Sequence, residues 1–565
     1  KVIETDTSVV VVGEKGKIES VSIPTNKKVI KVTYVVDKEN TESIEKLMEE
    51  GQGFGAINPA FWRNTEFDAL VKAARVETNP EIRTELFKAM YIIANKEAPL
   101  IVFGQNRMMR VYWDWVEGRY YHPTFTERYD LVWEKPNAPT VDIGIKDYKN
   151  DANTLVIGTI GWPESFDPAT TYETFGWEIW HQIGDTLVTY WKEETEKVSP
   201  DLAVAWAHNK EGTEWYFVIR GDVVAYDPWN DKTYPIDATD VAFSFWRVNR
   251  IGHSVSWMLG FTDLEKSVPL TEDEFASVIA KGGLYAEFEG KSGEVKSMDE
   301  LLSMFGYSGK TAGVYKLVLP EPYAPILGIL TDPFLSVLPM EYLLGDKYQE
   351  ALDASNNGKN PSAWEAYVSE GEEDATHQLM HQKPVCTGPY CVVDYEENSY
   401  IVAKMNPYYW GKALWDEMYA DTSKAKHETV IWVINNDAVS RINLFQTGTV
   451  DYVAAPPERI NDVKGLEFQG FHSVVKTDLL QPVITYGVFN TYKEPFNNPK
   501  VRQALAYAVP YDQIIQQVYS GNMERNYAAV PIGWPGYTEY GINKYTFDMA
   551  KAKQLLKEAG IDPTK

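Results

Sequence analysis

Cationic residues are scarce in this chain: Lys and Arg number 54 against 81 Asp and Glu, a formal net charge of −27. Wrapping a nucleic acid or lying on an anionic membrane is electrostatically opposed, so nucleic acid is excluded as a partner. Cysteine is scarcer still, with two residues, Cys386 and Cys391. Their CxxxxC spacing has no second ligand pair, which argues against zinc. No apolar run approaches the roughly 20 residues needed to span a bilayer. GxSxG, HExxH and nucleotide fingerprints are absent. Gly290-Lys291-Ser292 is no phosphate loop, because Tyr285 stands where the leading Gly belongs. The chain opens at Lys1 without a charged-then-apolar leader, which fits a processed mature chain or a fragment.

Aromatics are plentiful, at 13% with 18 Trp and 35 Tyr. Core packing rarely needs so many Trp, which points to some of them lining a binding cleft. A chain of 565 residues exceeds one core and should form two or three lobes. The most informative stretch is KPVCTGPYCVVDYEENSYIVAKMNPYYWGK, Lys383 to Lys412. Thr387-Gly388-Pro389-Tyr390 is turn chemistry, and two β-branched and aromatic runs flank the polar reversal at 396–399, giving a β-hairpin. The two cysteines flank the turn. Bringing the strand starts together would place their Cα atoms within the ~4.4–6.8 Å a disulfide needs, the alternative being two buried thiols. His377 and His381 have i, i+4 spacing on a helix, but no Glu follows His377; a solvated face is expected there, and no metal.

Strands are expected at Ser8–Val12, Ile18–Ile23 and Val29–Val36, a small meander with exposed edges. Beyond it lie the Gly- and aromatic-rich GQGFGAINPAFW, a helix capped by Thr65 with Asp68, and a second helix opened by Asn79-Pro80. Ala98–Phe103 is a short buried strand, and residues 135–151 read as a linker with at most one strand. Thr154–Ile160 is a strand leading into GWPESFDPA. Residues 201–220 form a hairpin, and a helix follows with Thr239 as its cap. Val430–Ile434 is a strand, Ala438–Phe445 a helix, and Asn498-Pro499 caps another helix. A further helix begins at Asp512, and Asp548 caps the last.

TGPY, strand, strand, NPxYW resembles a signature of family 5 solute-binding proteins of ABC transporters. LVIGTIGWPESFDPA, DLAVAWAHNKEGTEWYFVIRGDVV, ATDVAFSFWR and PFNNP-KVRQALAYAV carry the same resemblance. The N-x-EFDALV-x-AR … ELFKAMYIIANKEAPLIV segment resembles the part that normally closes the family's chain, yet here it comes first. A circular permutation, a chain cut from a longer arrangement and incomplete sequence all remain open as explanations. The resemblance implies an α/β, periplasmic-binding-protein-like fold of class II, three-lobed, with hinged lobes and mixed sheets, plus a small β-rich N-terminal segment. The implied division is 1–50, the β-rich segment; 51–135, completing lobes I and III; 136–152, a linker; 153–430, lobe I with lobe II inserted at about 200–315; and 431–565, the first part of lobe III.

The function so implied is capture of an oligosaccharide or oligopeptide in an inter-lobe cleft. Delivery to an ABC transporter membrane permease would follow, outside the cytoplasm and tethered to the cell surface. Tryptophan content, together with the unrecognised segment that in peptide binders would carry an acidic residue for the ligand amine, tilts the ligand slightly towards sugar. No cofactor is expected. Trp162, Phe166, Asp167 and Trp177 follow the strand at 154–160, where open sheets place ligands; packing is the competing role for each ring. Weaker candidates are Tyr390, Tyr486, Asn490, Trp534, Phe54, Asn58 and Trp62. Glu164 and Asp167 suggest a carboxylate pair for glycoside hydrolysis, but among 81 acidic residues such pairs arise by chance, and a non-catalytic binder is favoured. Another alternative is self-assembly through residues 1–50 into a filament or surface layer.

Overall fold

The computed structural model describes residues 2–4, 9–12, 18–23, 28–30, 58–253 and 255–563. The chain divides into two units, one formed by residues 1–109 with 476–565 and the other by residues 110–475. These boundaries fall inside the ranges 51–135 and 431–565 of the sequence reading.

In the first unit, the strands Val2–Glu4, Val9–Val12, Ile18–Ile23 and Lys28–Ile30 pair in order as an antiparallel meander. Ile3 enters a core cluster with Leu70, Leu86 and Ile93, so the meander packs on helices of its own chain. Those helices are Thr65–Val76 and Pro80–Glu97. The first is capped one residue before the expected Thr65: Asn64 Oδ1 accepts from Phe67 N at 2.9 Å. The second opens at Asn79-Pro80 as expected, with Pro at N1, where the missing N–H costs nothing. Leu100–Arg107, longer than the expected 98–103 strand, pairs antiparallel with Leu480–Val488. Arg502, buried on the helix Pro499–Ala508, donates to the carbonyls of Glu97, Ala98 and Phe496. The early segment is thereby joined to a distant one by ladder bonds and by a buried guanidinium that reaches across 404 residues of sequence. The helix expected from Asp512 opens at Tyr511 and continues as a π-helical turn, Ile514–Val518.

In the second unit, an eight-stranded mixed sheet runs in the order Tyr390–Glu396, Tyr400–Met405, Thr429–Ile434, Thr154–Thr159, Tyr452–Val453, Arg110–Trp113, Phe471–Lys476, Glu467–Phe468. Thr154–Thr159 lies parallel to both Thr429–Ile434 and Tyr452–Val453. Its Leu155, Val156 and Ile157 are buried. That run has no polar alternation, as befits a strand covered on both faces. A separate six-stranded sheet, built within residues 203–318, contains the expected hairpin, Ala203–Asn209 with Glu214–Arg220. The helix Ala238–Ile251 is capped by Asp237 in a capping box with Asp240, so the cap is not Thr239. Within the expected linker, Val141–Asp142 and Lys149–Asn150 form a two-stranded pair.

Cys386 and Cys391 are disulfide-bonded, with Cα atoms 5.3 Å apart. At the turn they enclose, Thr387 N and Gly388 N both donate to Ile183 O. A Cβ on Gly388 would come within 2.8 Å of the Ile183 carbonyl carbon, so only glycine permits this approach of two backbones.

Candidate solute-binding surface

The carboxyl ends of the parallel strands of the second unit are the usual ligand position of open sheets. Three loops meet there. Asn435 N donates to Thr159 O at 2.9 Å, and Gly161 N donates to Asn436 Oδ1 at 2.9 Å. Arg441 ties the other side, with Nη1 donating to Asn435 O and Nε to Ala454 O. Gly161 has φ of +76°, which lets the chain turn sharply and presents Trp162.

Trp162 is half-buried. Its ring lies 6.0 Å from Phe166, edge to face, and 6.2 Å from Tyr395. Tyr395 in turn lies 5.1 Å from Phe166 and 6.2 Å from Trp229. Trp229 is oriented by its indole N–H, which donates to Pro384 O, and Tyr395 by its hydroxyl, which donates to Gln382 O. Phe166 is buried and supports the others from below. Three half-buried rings on fixed hydrogen-bonded frames form an apolar surface beside the neutral polar strand ends.

Sequence reasoning did not single out Tyr395 or Trp229. Tyr395 lies on the recognised hairpin, but the turn carrying Trp229 reaches it through the isolated bridge between Tyr226 and Cys386 and the bond from Trp229 to Pro384 O. No local pattern announces that pairing.

Asp167 is fully buried. Arg247 holds it with Nη1 3.0 Å from Oδ1 and Nη2 2.5 Å from Oδ2, and His377 Nδ1 is 2.9 Å from Oδ2. Burial opposes ionisation, yet Arg247 and His377 overcome it and hold the carboxyl down at about 2. Both oxygens are committed to this network, so Asp167 is a structural anchor, and it offers no free partner to Glu164 for hydrolysis. The face of His377 and His381 is correspondingly packed: His377 is buried, and His381 Nδ1 is 3.0 Å from Ser165 Oγ. The expectation of a solvated face fails because the partner carboxylate is 210 residues away in sequence.

Tyr390 is likewise buried, its hydroxyl donating to His427 O at 2.8 Å, a packing role. Trp177 is half-buried and donates to Thr171 O, with the exposed Tyr172 edge-on at 5.6 Å.

In the first unit, Asn58 Nδ2 donates to Trp62 O, and Trp62 meets Phe67 edge-on at 5.0 Å. Asn490 Oδ1 accepts from Tyr492 N, while Tyr486 and Trp534 are exposed. Phe54 lies outside the described residues. Among the described residues, no group of acidic, His or Cys side chains is arranged to hold a metal, and no helix is long and apolar enough to cross a membrane.

The family described as bacterial extracellular solute-binding proteins, family 5 Middle, matches residues 197–565. The dipeptide-binding protein of Escherichia coli K12 is 28% identical over 422 residues, covering 73% of this chain and 64% of that protein. Heme-binding protein A of Haemophilus influenzae is 27% identical over 414 residues, covering 72% and 62%. The chain thus spans just under two thirds of the length of these curated relatives. Among solved structures, the periplasmic binding protein DppA of Helicobacter pylori in complex with the peptide STSA aligns at 22% identity and a TM-score of 0.45, covering 72% of this chain and 66% of that one. The match over residues 197–565 shows that this chain belongs to the family 5 bacterial extracellular solute-binding proteins.

Proposed function

We propose that the chain captures a short peptide for delivery to an ABC-transporter permease, outside the cytoplasm. The observation that carries this reading is the Trp162, Tyr395 and Trp229 surface at the carboxyl ends of the parallel strands. Ring faces suit apolar peptide side chains, and the neutral amides around Asn435 and Asn436 suit a peptide backbone. Glu164, on the same loop, is half-exposed with its Oε1 3.9 Å from His253 Nε2, and its carboxylate adds a negative charge that suits a ligand ammonium.

Tryptophan number gives sugar little support, because packing accounts for much of it: Trp113, Trp115, Trp180, Trp364 and Trp432 are fully buried. Peptide is also the ligand class in the names of several relatives, including the dipeptide-binding protein of Escherichia coli and di/tripeptide-binding protein 1 of Pseudomonas aeruginosa.

Titration of this chain with a panel of dipeptides and tripeptides, followed by calorimetry and tryptophan fluorescence, tests the reading. Saturable binding that weakens in Trp162→Ala supports it. Saturation by cello- or chito-oligosaccharides with no response to peptides overturns it.

A further inference from the structure

Three pieces that the sequence marks separately converge on the adjacent residues Asp185 and Thr186. Asp185 follows the helix Thr174–Ile183 and is buried. Its N–H donates to Thr387 Oγ1 of the TGPY turn at 2.8 Å, and its Oδ2 accepts from Trp410 Nε1 of the NPYYW cluster at 2.8 Å. Asp201, before the hairpin strand Ala203–Asn209, is also buried, and its Oδ2 accepts from Thr186 N at 3.0 Å. Both acids line a cavity of about 20 Å³ together with Arg128, Trp180 and His181. That is room for about one water, and the indole N–H of Trp180 meets no protein acceptor.

The surrounding cations are already matched. Arg128 donates to both oxygens of Asp130, at 3.0 and 2.6 Å, and to Tyr409 Oη at 2.9 Å. Arg220 donates to both oxygens of Asp222, at 2.7 and 2.9 Å, while its guanidinium stacks over the Trp410 ring at 3.5 Å. His181 is held neutral: burial, then Arg128 and His122, push it down to about 3. Two buried carboxylates therefore line one small cavity, and the arginines nearest them are each hydrogen-bonded to another carboxylate, an arrangement that disfavours ionising both.

We propose that Asp185 and Asp201 share one proton near neutral pH, making the junction of the TGPY turn, the NPYYW cluster and the Asp201 hairpin a proton-dependent lock. The electrostatics agree. Burial raises Asp185 to about 6 against the opposing Trp410 bond and Arg128. Burial and then the Asp185 charge raise Asp201 well above the ordinary carboxylate range. Raised folded-state values mean that the folded chain binds more protons than the unfolded chain. The stabilisation is complete below about 3.8, the unfolded value, and is lost as pH rises through about 6 and above.

The test compares the full chain with Asp201→Asn, which keeps an acceptor for Thr186 N but cannot ionise. The melting temperature of the wild type should fall by several degrees between about pH 5 and pH 8, and that fall should shrink by about half or more in the variant. An infrared difference spectrum, wild type minus variant at neutral pH, should show the carbonyl band of a protonated carboxyl. Should Asp201→Asn not fold, Asp185→Asn serves in both measurements. Parallel melting profiles, or no such band in the difference spectrum, overturn the proposal.

Discussion

Arg247 closes on Asp167 with two parallel N–H bonds across 80 residues of sequence, and both side chains are essentially inaccessible to solvent. The pair joins the helix Ala238–Ile251 to the loop that presents Trp162. Arg247 Nε reaches further, to Thr376 Oγ1 at 2.7 Å on the helix that carries His377. The loop bearing the candidate ligand surface is thus fixed from beneath by a buried charge network, which pre-organises the rings above it.

Removing the cation should therefore be severe. Arg247→Ala leaves a carboxylate buried without its main partner, a change that costs about 3–5 kcal/mol. Urea denaturation of the variant should show a midpoint shift of that size with little change in slope. A loss under about 0.5 kcal/mol, typical of surface changes, would show that the network does not hold the loop.

Acid should act on the same pair. The Asp167 carboxyl sits at about 2 in the folded chain, below its ordinary 3.8. A depressed value means that the unfolded chain binds more protons, so the stabilisation is full above about 3.8 and is lost as pH falls through about 2. For this one group the contribution is on the order of 2 kcal/mol. In Asp167→Asn, the dependence of stability on pH between about 4 and 2 should flatten by about that amount, read from denaturation midpoints at each pH.

Much of the fold is legible wherever physics is local. Asn79-Pro80, Asn498-Pro499 and Asp548 start helices as read, because a cap is satisfied within one turn. Caps shift where two suitable residues compete, as Asn64 displaces Thr65 and Asp237 displaces Thr239. The Cys386–Cys391 bridge follows from a turn of six residues. Long-range facts are another matter. Asp167 looks like a loop carboxylate until Arg247 and His377 arrive from elsewhere in the chain, and Trp229 looks like a turn residue until the Tyr226 bridge brings it to Tyr395. Trp162 is legible because Gly161 and Pro163 constrain it locally. Phe166 is four residues on and equally local, but Tyr395 reaches Trp162 through sheet register, and a single sequence does not display register between distant strands.

Gly388→Ala probes the close approach at the TGPY turn. The added methyl would stand 2.8 Å from Ile183 C and 2.9 Å from Gly184 N, both backbone atoms that cannot swing aside. Relief requires moving the peptide whose carbonyl accepts from Thr387 N and Gly388 N. A loss of about 1–3 kcal/mol is expected from thermal or urea denaturation. Gly293→Ala is the control: a methyl there meets nothing within 4 Å, so its stability should stay within about 0.5 kcal/mol of the parent. Equal effects at the two glycines would remove the steric argument.

Trp162 and Phe166 are neighbours with opposite expected phenotypes. Phe166 is 2% exposed, so Phe166→Ala opens a cavity under the loop and should cost about 3 kcal/mol or more of stability. Trp162 is only half-buried, so Trp162→Ala should cost clearly less stability while weakening peptide binding about 10- to 100-fold. Tyr395→Ala should weaken binding in the same direction, because its ring stands 6.2 Å from both Trp162 and Trp229. The decisive readout is the pair of ratios, affinity and stability measured on the same preparations. If Trp162→Ala loses stability as Phe166→Ala does and leaves affinity unchanged, the ring is packing and the ligand surface lies elsewhere. If affinity falls while the melting temperature holds, the aromatic surface at the strand ends is where the solute docks.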